Sequence, residues 1–198
     1  MARLQILAKN MDRKKQIRKD LIRRRQSLSK DDTCRKSISI TKKLLTIPEF
    51  CSADRILSYC DYKNEVITDF ISDYAWKNKV SISFPRVEDD LMEFYEVKGK
   101  EDLVLGKWNI REPGKTCPYV VSTDEKVVMI VPCTGADAHG NRIGYGGGYY
   151  DRYFEKHPQF LKILVCYEMQ MLDQVPVEEH DLKVDYIVTE DRIVKIKS

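Results

Sequence analysis

Apolar and polar positions divide the chain into two textures. Up to about residue 47, apolar residues recur at helical spacing among basic ones. Ile17, Leu21 and Leu28 form one stripe of a helix predicted over residues 13–28, with Arg and Lys on its other faces. Ser29-Lys30-Asp31-Asp32 reads as a capping box with Asp in the place of Glu, opening a second helix that Pro48 stops near Ile47. Arg23-Arg24-Arg25 is expected to face solvent.

From Asp54 onward, short apolar runs rich in β-branched and aromatic residues predict strands over 55–59, 80–84, 92–97, 127–131, 162–167 and 186–189. Helical segments are predicted over 65–77 and 148–156. Strand and helix therefore alternate, which implies an α/β fold: a single three-layer domain with a mainly parallel or mixed central sheet, helices on both faces and a Rossmann-like topology. The runs 127–131 and 163–165 are apolar without alternation, as central strands buried on both sides must be, whereas 92–97 alternates and suits an edge or antiparallel strand. Ligands in such sheets gather beyond the carboxyl ends of strands, so the loops there are the ones to read.

Composition narrows the class. A chain of 198 residues with 42% hydrophobic residues suits one domain with a full core. No run approaches the ~20 apolar residues of a membrane span, and the basic start lacks the apolar centre of a secretory signal, so a cytoplasmic protein without a membrane partner is expected. The net charge of +3 hides an asymmetry: residues 1–43 hold 15 Lys/Arg against 4 Asp/Glu, and the remainder 19 against 27. A basic arm on an acidic body can bind nucleic acid, meet a phosphate-bearing ligand or dock on the body. Six cysteines without a CxxC pair and three histidines make a structural zinc site improbable and point to reduced thiols.

The densest local feature is Arg142-Ile143-Gly144-Tyr145-Gly146-Gly147-Gly148-Tyr149-Tyr150-Asp151-Arg152. Its glycines permit positive φ and close approach of a ligand, and successive N–H groups ahead of a helix favour an anion. It is neither a Walker A loop, since no Gly-Lys-Ser/Thr closes it, nor GxGxxG, since Tyr149 takes the third glycine's place. For the glycines alone, an ordinary turn is the competing reading.

The longer string resembles the nucleotide loop of the 5-formyltetrahydrofolate cyclo-ligase family, also called 5,10-methenyltetrahydrofolate synthetases. Further matches follow in order: Lys14-Lys15-Gln16-Ile17-Arg18, Glu65, Trp108-Asn109-Ile110-Arg111-Glu112-Pro113, His180-Asp181, and Val184-Asp185-Tyr186-Ile187-Val188-Thr189-Glu190. The resemblance covers about residues 12–191. Residues 1–11 are set aside as a leader or extension that need not be ordered, and 12–198 as a single cyclo-ligase domain. One departure stands out: Pro132-Cys133-Thr134-Gly135-Ala136-Asp137 replaces the family's usual Pro-Gly-x-Ala-Phe-Asp, which touches the expected wall of the pocket at Ala136.

The resemblance implies ATP-dependent cyclisation of 5-formyltetrahydrofolate to 5,10-methenyltetrahydrofolate by a monomer using Mg²⁺. It assigns Lys14, Arg18, Arg142, Gly144, Tyr145, Gly146, Gly147, Gly148, Tyr149 and Tyr150 to ATP. Cys60, Glu65, Trp108, Gly148 and Tyr149 go to the folate, and Asp151 with Asp185 to the metal, with no acid, base or nucleophile assigned. Lys14 and Arg18, four apart, share a helix face and could clamp phosphates, or could belong to a solvated basic face. Glu65 could hold the pterin's paired N–H groups or be a first-turn helix residue. Asp151 could serve a helix dipole and Asp185 a turn; a shared ion requires both at the same edge of the sheet. Trp108 and Tyr149 could pack on the ligand's rings or in the core. His139 reads as a loop residue. The competing functions are a non-catalytic relative that binds RNA through the basic helices, and an ATP-dependent ligase of another acyl or amide substrate.

Overall fold

The computed structural model describes residues 2–119, 125–178 and 181–197. His180, one of the matched positions, lies outside the described residues.

Helix α1 (Ala2–Gln26) leads into α2 (Lys30–Leu44), where the Ser29 side chain accepts from Asp32 N at 3.0 Å as the capping pattern predicts. Pro48 does more than stop α2: it opens a short helix, α3 (Pro48–Cys51), as its first residue, where a missing N–H costs nothing. Strand β1 (Arg55–Leu57), helix α4 (Asp69–Lys77), and strands β2 (Ser81–Glu88) and β3 (Leu91–Glu96) follow. A small hairpin, β4 (Leu103–Leu105) with β5 (Arg111–Pro113), precedes β6 (Val127–Val131). Then come β7 (Gly135–Asp137), β8 (Arg142–Ile143), α5 (Tyr149–Lys156), β9 (Leu161–Val165), β10 (Met171–Leu172), β11 (Tyr186–Val188) and β12 (Ile193–Lys195).

The main sheet has the order β12-β11-β9-β6-β1-β2-β3. The strands from β11 to β2 are parallel, and β12 and β3 close the edges antiparallel, so the alternating 92–97 segment is the edge strand its pattern suggests. Side-chain alternation along the buried strands feeds two cores. Ile56, Val128, Ile130, Ile163 and Val188 pack with Ile40 and Leu44 of α2 and Ile71 and Ala75 of α4. Their neighbours Leu57, Met129, Val131, Leu164 and Ile187 pack on the other face with Tyr153 and Phe154 of α5. This is the three-layer α/β arrangement expected from the sequence.

Strand order reverses between β1 and β6, the successor of β1 lying on one side and later strands on the other. A crevice forms beyond the carboxyl ends of strands at such a reversal. The segment after β1 and Pro132 after β6 both line the cavity described next.

No described helix is long and apolar enough to cross a membrane. All six cysteines are free thiols.

Candidate active site

A cavity of about 1010 Å³ opens beyond β1 and β6. Its wall includes one face of α1, the segment after β1 and the glycine loop between β8 and α5, with Pro85, Met92, Trp108 and Asp181 closing other sides.

Helix α1 brings Lys14, Arg18, Leu21 and Arg25 along one stripe, alternating steps of four and three. Lys14 Nζ meets Asp181 at 2.5 Å and Glu178 at 3.1 Å, all three on the cavity wall. Arg18 Nε donates to Gly144 O at 2.7 Å and so braces the glycine loop from beneath. Leu21 is buried against Gly135, where an added Cβ would stand 2.6 Å from Leu21 Cδ1. The expectation that Arg23-Arg24-Arg25 faces solvent fails at Arg25, which is 1% exposed. The spacing carried the signal: Arg25 stands four after Leu21 and three before Leu28, on the stripe already identified as apolar.

The glycine loop hangs from the β7–β8 hairpin. Asp137, fully buried, accepts from His139 N, Asn141 N, Asn141 Nδ2 and Val175 N, which fixes the turn and makes His139 the loop residue expected. Gly146 at φ +101° and Gly148 at φ +66° then use conformations that L side chains resist, and Gly148 delivers the chain into α5. Arg142 donates to Asp151 at 2.7 Å while its buried Nε has no protein partner among the described residues. Tyr145, Tyr149 and Tyr150 line the cavity with Gly144, Gly146, Gly147 and Gly148. The Arg152 guanidinium lies 4.9 Å from the Tyr149 ring centre, and this half-buried ring both lines the cavity and packs against the second core.

Across the cavity stands Glu65. It is not a first-turn residue, since α4 begins at Asp69; left-handed backbone at Lys63 and Asn64 (φ 48° and 57°) turns it inward. Glu65 is 5% exposed, with Oε2 accepting from Tyr62 N at 3.0 Å. Among the described residues Oε1 accepts no hydrogen bond within normal distance, and Arg25 Nη1 stands 3.6 Å away. Burial pushes its carboxyl up to about 7 from an ordinary 4.5, against the pull of Arg25. Beside it, burial drives the Cys60 thiol up to about 12, which leaves it a neutral wall residue and not a nucleophile. Trp108 is 55% exposed at the mouth, in left-handed backbone (φ 61°) that a bulky residue rarely adopts.

The two carboxylates expected to share a metal are not brought together. Asp151 lines the cavity. Asp185 precedes β11, and its side chain accepts from Lys162 N at 2.7 Å, at the start of β9. That is the amino-terminal edge of the parallel strands, opposite the cavity, so the expected common edge is corrected. Among the described residues no three His, Cys, Asp or Glu side chains converge as a metal cage. Asp185→Ala should therefore cost about 1 kcal/mol of stability, read by urea denaturation, and leave any Mg²⁺ requirement of activity as it was. A changed Mg²⁺ requirement would return Asp185 to the metal. The departure at Ala136 is likewise relocated. This residue is fully buried in the second core and does not line the cavity.

The α/β domain sets a glycine loop across from a buried carboxylate at a strand reversal, and comparison with known proteins gives its class as a ligase. The chain belongs to the 5-formyltetrahydrofolate cyclo-ligase family, whose model matches residues 10–190. It is 29% identical to the mouse 5-formyltetrahydrofolate cyclo-ligase over 190 residues, covering 90% of this chain and 94% of the mouse protein. It is 30% identical to a probable 5-formyltetrahydrofolate cyclo-ligase of Schizosaccharomyces pombe, covering 80% and 86%. The solved Aquifex aeolicus 5,10-methenyltetrahydrofolate synthetase superposes with a TM-score of 0.83 at 29% identity, covering 93% of each chain.

Proposed function

We propose that the cavity converts 5-formyltetrahydrofolate to 5,10-methenyltetrahydrofolate at the expense of ATP, releasing ADP and phosphate. The observation that carries the reading is Glu65: a buried carboxylate with one oxygen unbonded, on the same cavity as a loop built for anions. Pterins present an amidine-like pair of N–H groups that a carboxylate accepts in two parallel hydrogen bonds.

The N5 formyl group is amide-like, and its oxygen leaves poorly. Transfer of the γ-phosphoryl group to that oxygen turns it into part of a phosphate leaving group; N10 then attacks the formyl carbon, the carbon–oxygen bond breaks, the departing phosphate takes up the N10 proton and the ring closes. The protein's task is positioning and charge stabilisation. N–H groups of the glycine loop and the cations Arg142, Arg18 and Lys14 receive the phosphates. Lys14 and Arg18 do so while held by Asp181, Glu178 and Gly144, which fixes their heads in place. Trp108 and Tyr149, both on the cavity, supply ring faces for the pterin or benzoyl group.

Mg²⁺ arriving on the nucleotide takes few protein ligands, and one carboxylate on the cavity suits it. Asp151 would hold it, where it neutralises phosphate charge. Asp185 does not fit that role. The RNA-binding alternative loses three cations of α1, since Arg25 is buried and Lys14 and Arg18 line the cavity.

The test is the absorbance of methenyltetrahydrofolate formed from 5-formyltetrahydrofolate, with ATP and Mg²⁺ omitted in turn. Product should appear only with all components present. Folded protein that forms none in the complete mixture overturns the reading.

A further inference from the structure

Arg25 has no part in the assignments above, yet its guanidinium joins α1 to the turn that carries Glu65, the end of β6 and the glycine loop. It donates to Lys63 O at 3.1 Å and Tyr62 O at 3.5 Å in the turn that carries Glu65. It donates to Cys133 O at 3.2 Å just after β6, and to the Tyr145 hydroxyl in the glycine loop. A cation needed only for packing would be expensive to bury here when an apolar side chain could fill the site.

We propose that Arg25 is the positioning residue of the folate subsite: it holds Glu65 in place as an anion and, through Tyr145, sets the glycine loop against it. The proposal rests on the folate reading of Glu65. One guanidinium then fixes the distance between the two substrates, and the reaction needs that distance short, because the phosphoryl group must reach the formyl oxygen.

Several titratable groups act on Glu65: Arg25 from α1, Tyr145 from the glycine loop, Tyr59 and Asp61 from the segment after β1, and Tyr150 from α5. Arg25 is the cation among them. Asp61 carries like charge, and the three phenols stay neutral because burial raises each of them. Removing Arg25 should therefore raise the midpoint of Glu65 above its present value near 7.

Two variants test this. Arg25→Gln removes the charge. Arg25→Lys keeps it, but a single ammonium cannot reproduce the forked contacts to loop, strand and phenol. The first readout needs no substrate: the ¹³C resonance of the Glu65 carboxyl, followed against pH in the labelled native chain and in each variant. A midpoint near 7 in the native chain and a higher one in both variants is expected, with the larger move in Arg25→Gln. The second is kinetic: the acidic limb of kcat/KM for 5-formyltetrahydrofolate should move to higher pH, and KM for that substrate should rise roughly tenfold or more. A structural role alone would lower thermal stability and leave both midpoints in place. An unmoved Glu65 midpoint in folded Arg25→Gln overturns the proposal; if that variant does not fold, a native KM for 5-formyltetrahydrofolate in folded Arg25→Lys, which has lost the fork, overturns it instead. Should the native chain form no methenyl product, the folate reading falls, while the carboxyl titration still judges whether Arg25 sets the charge of Glu65.

Discussion

Glu65→Gln should make the protein more stable and nearly useless for binding folate. The carboxyl titrates at about 7 in the fold and near 4.5 when free. The folded state thus binds the proton more tightly, and ionising Glu65 costs stability. The cost is absent below the free value, grows as pH rises between the two, and is complete above 7. Its full size is about 3 kcal/mol, from 1.36 kcal/mol per pK unit. Gln imitates the protonated form and escapes the cost. Urea denaturation at pH 8 should favour the variant by roughly that amount, and the two proteins should converge near pH 4. The same change deletes a charged acceptor of the pterin's paired N–H groups, worth a loss of roughly 100-fold in affinity. Equal stability at pH 8 would mean that the native carboxylate is not strained. Equal affinity would remove Glu65 from the folate site.

The second large effect is expected at Gly146. Its φ of +101° lies beyond the left-handed region that Asn or Asp tolerates. Strain acts there whatever the space, and an added Cβ would itself sit an ordinary 3.5 Å from the Arg18 guanidinium. Gly146→Val therefore acts through backbone strain of about 1–3 kcal/mol, which the loop relieves by leaving the geometry it presents to phosphates. At saturating folate, kcat/KM for ATP should fall roughly 10- to 100-fold. Gly144→Ala separates strain from crowding: its φ is not positive, so its effect comes only from the added Cβ pressing Arg142 Nη1 at 3.1 Å, and it should be smaller than that of Gly146→Val. A Gly146→Val protein with native ATP kinetics would show that the loop conformation is not what binds the nucleotide.

The sheet was legible because its strands are buried on both faces and therefore apolar throughout, as at Val127–Val131. The small strands β4, β5, β7, β8, β10 and β12 were not: they are two or three residues long and take their conformation from what they pack against. Within the site, the glycine loop announced itself by composition. Glu65 was found by resemblance but placed on a helix, because its sequence neighbours suit one; left-handed backbone at Lys63 and Asn64 overrides that preference. Arg25 was missed because charge was read before spacing. Asp185 was misplaced because sequence order does not say which end of a parallel strand a residue occupies.

The departure at 135–136 acquires a meaning once Leu21 is considered. Where the family usually carries Ala and Phe, this chain has Gly135 and Ala136, and both are buried. The volume withdrawn there is occupied from outside: Leu21 reaches to where a Cβ of residue 135 would stand, and Leu172 Cδ1 lies within 3.4 Å of the same point. Position 135 thus sets how far the Leu21 side chain reaches into the second layer. A methyl group restored there would make the tip of Leu21 turn aside, loosening the apolar contact that seats α1 between Arg18 and Arg25.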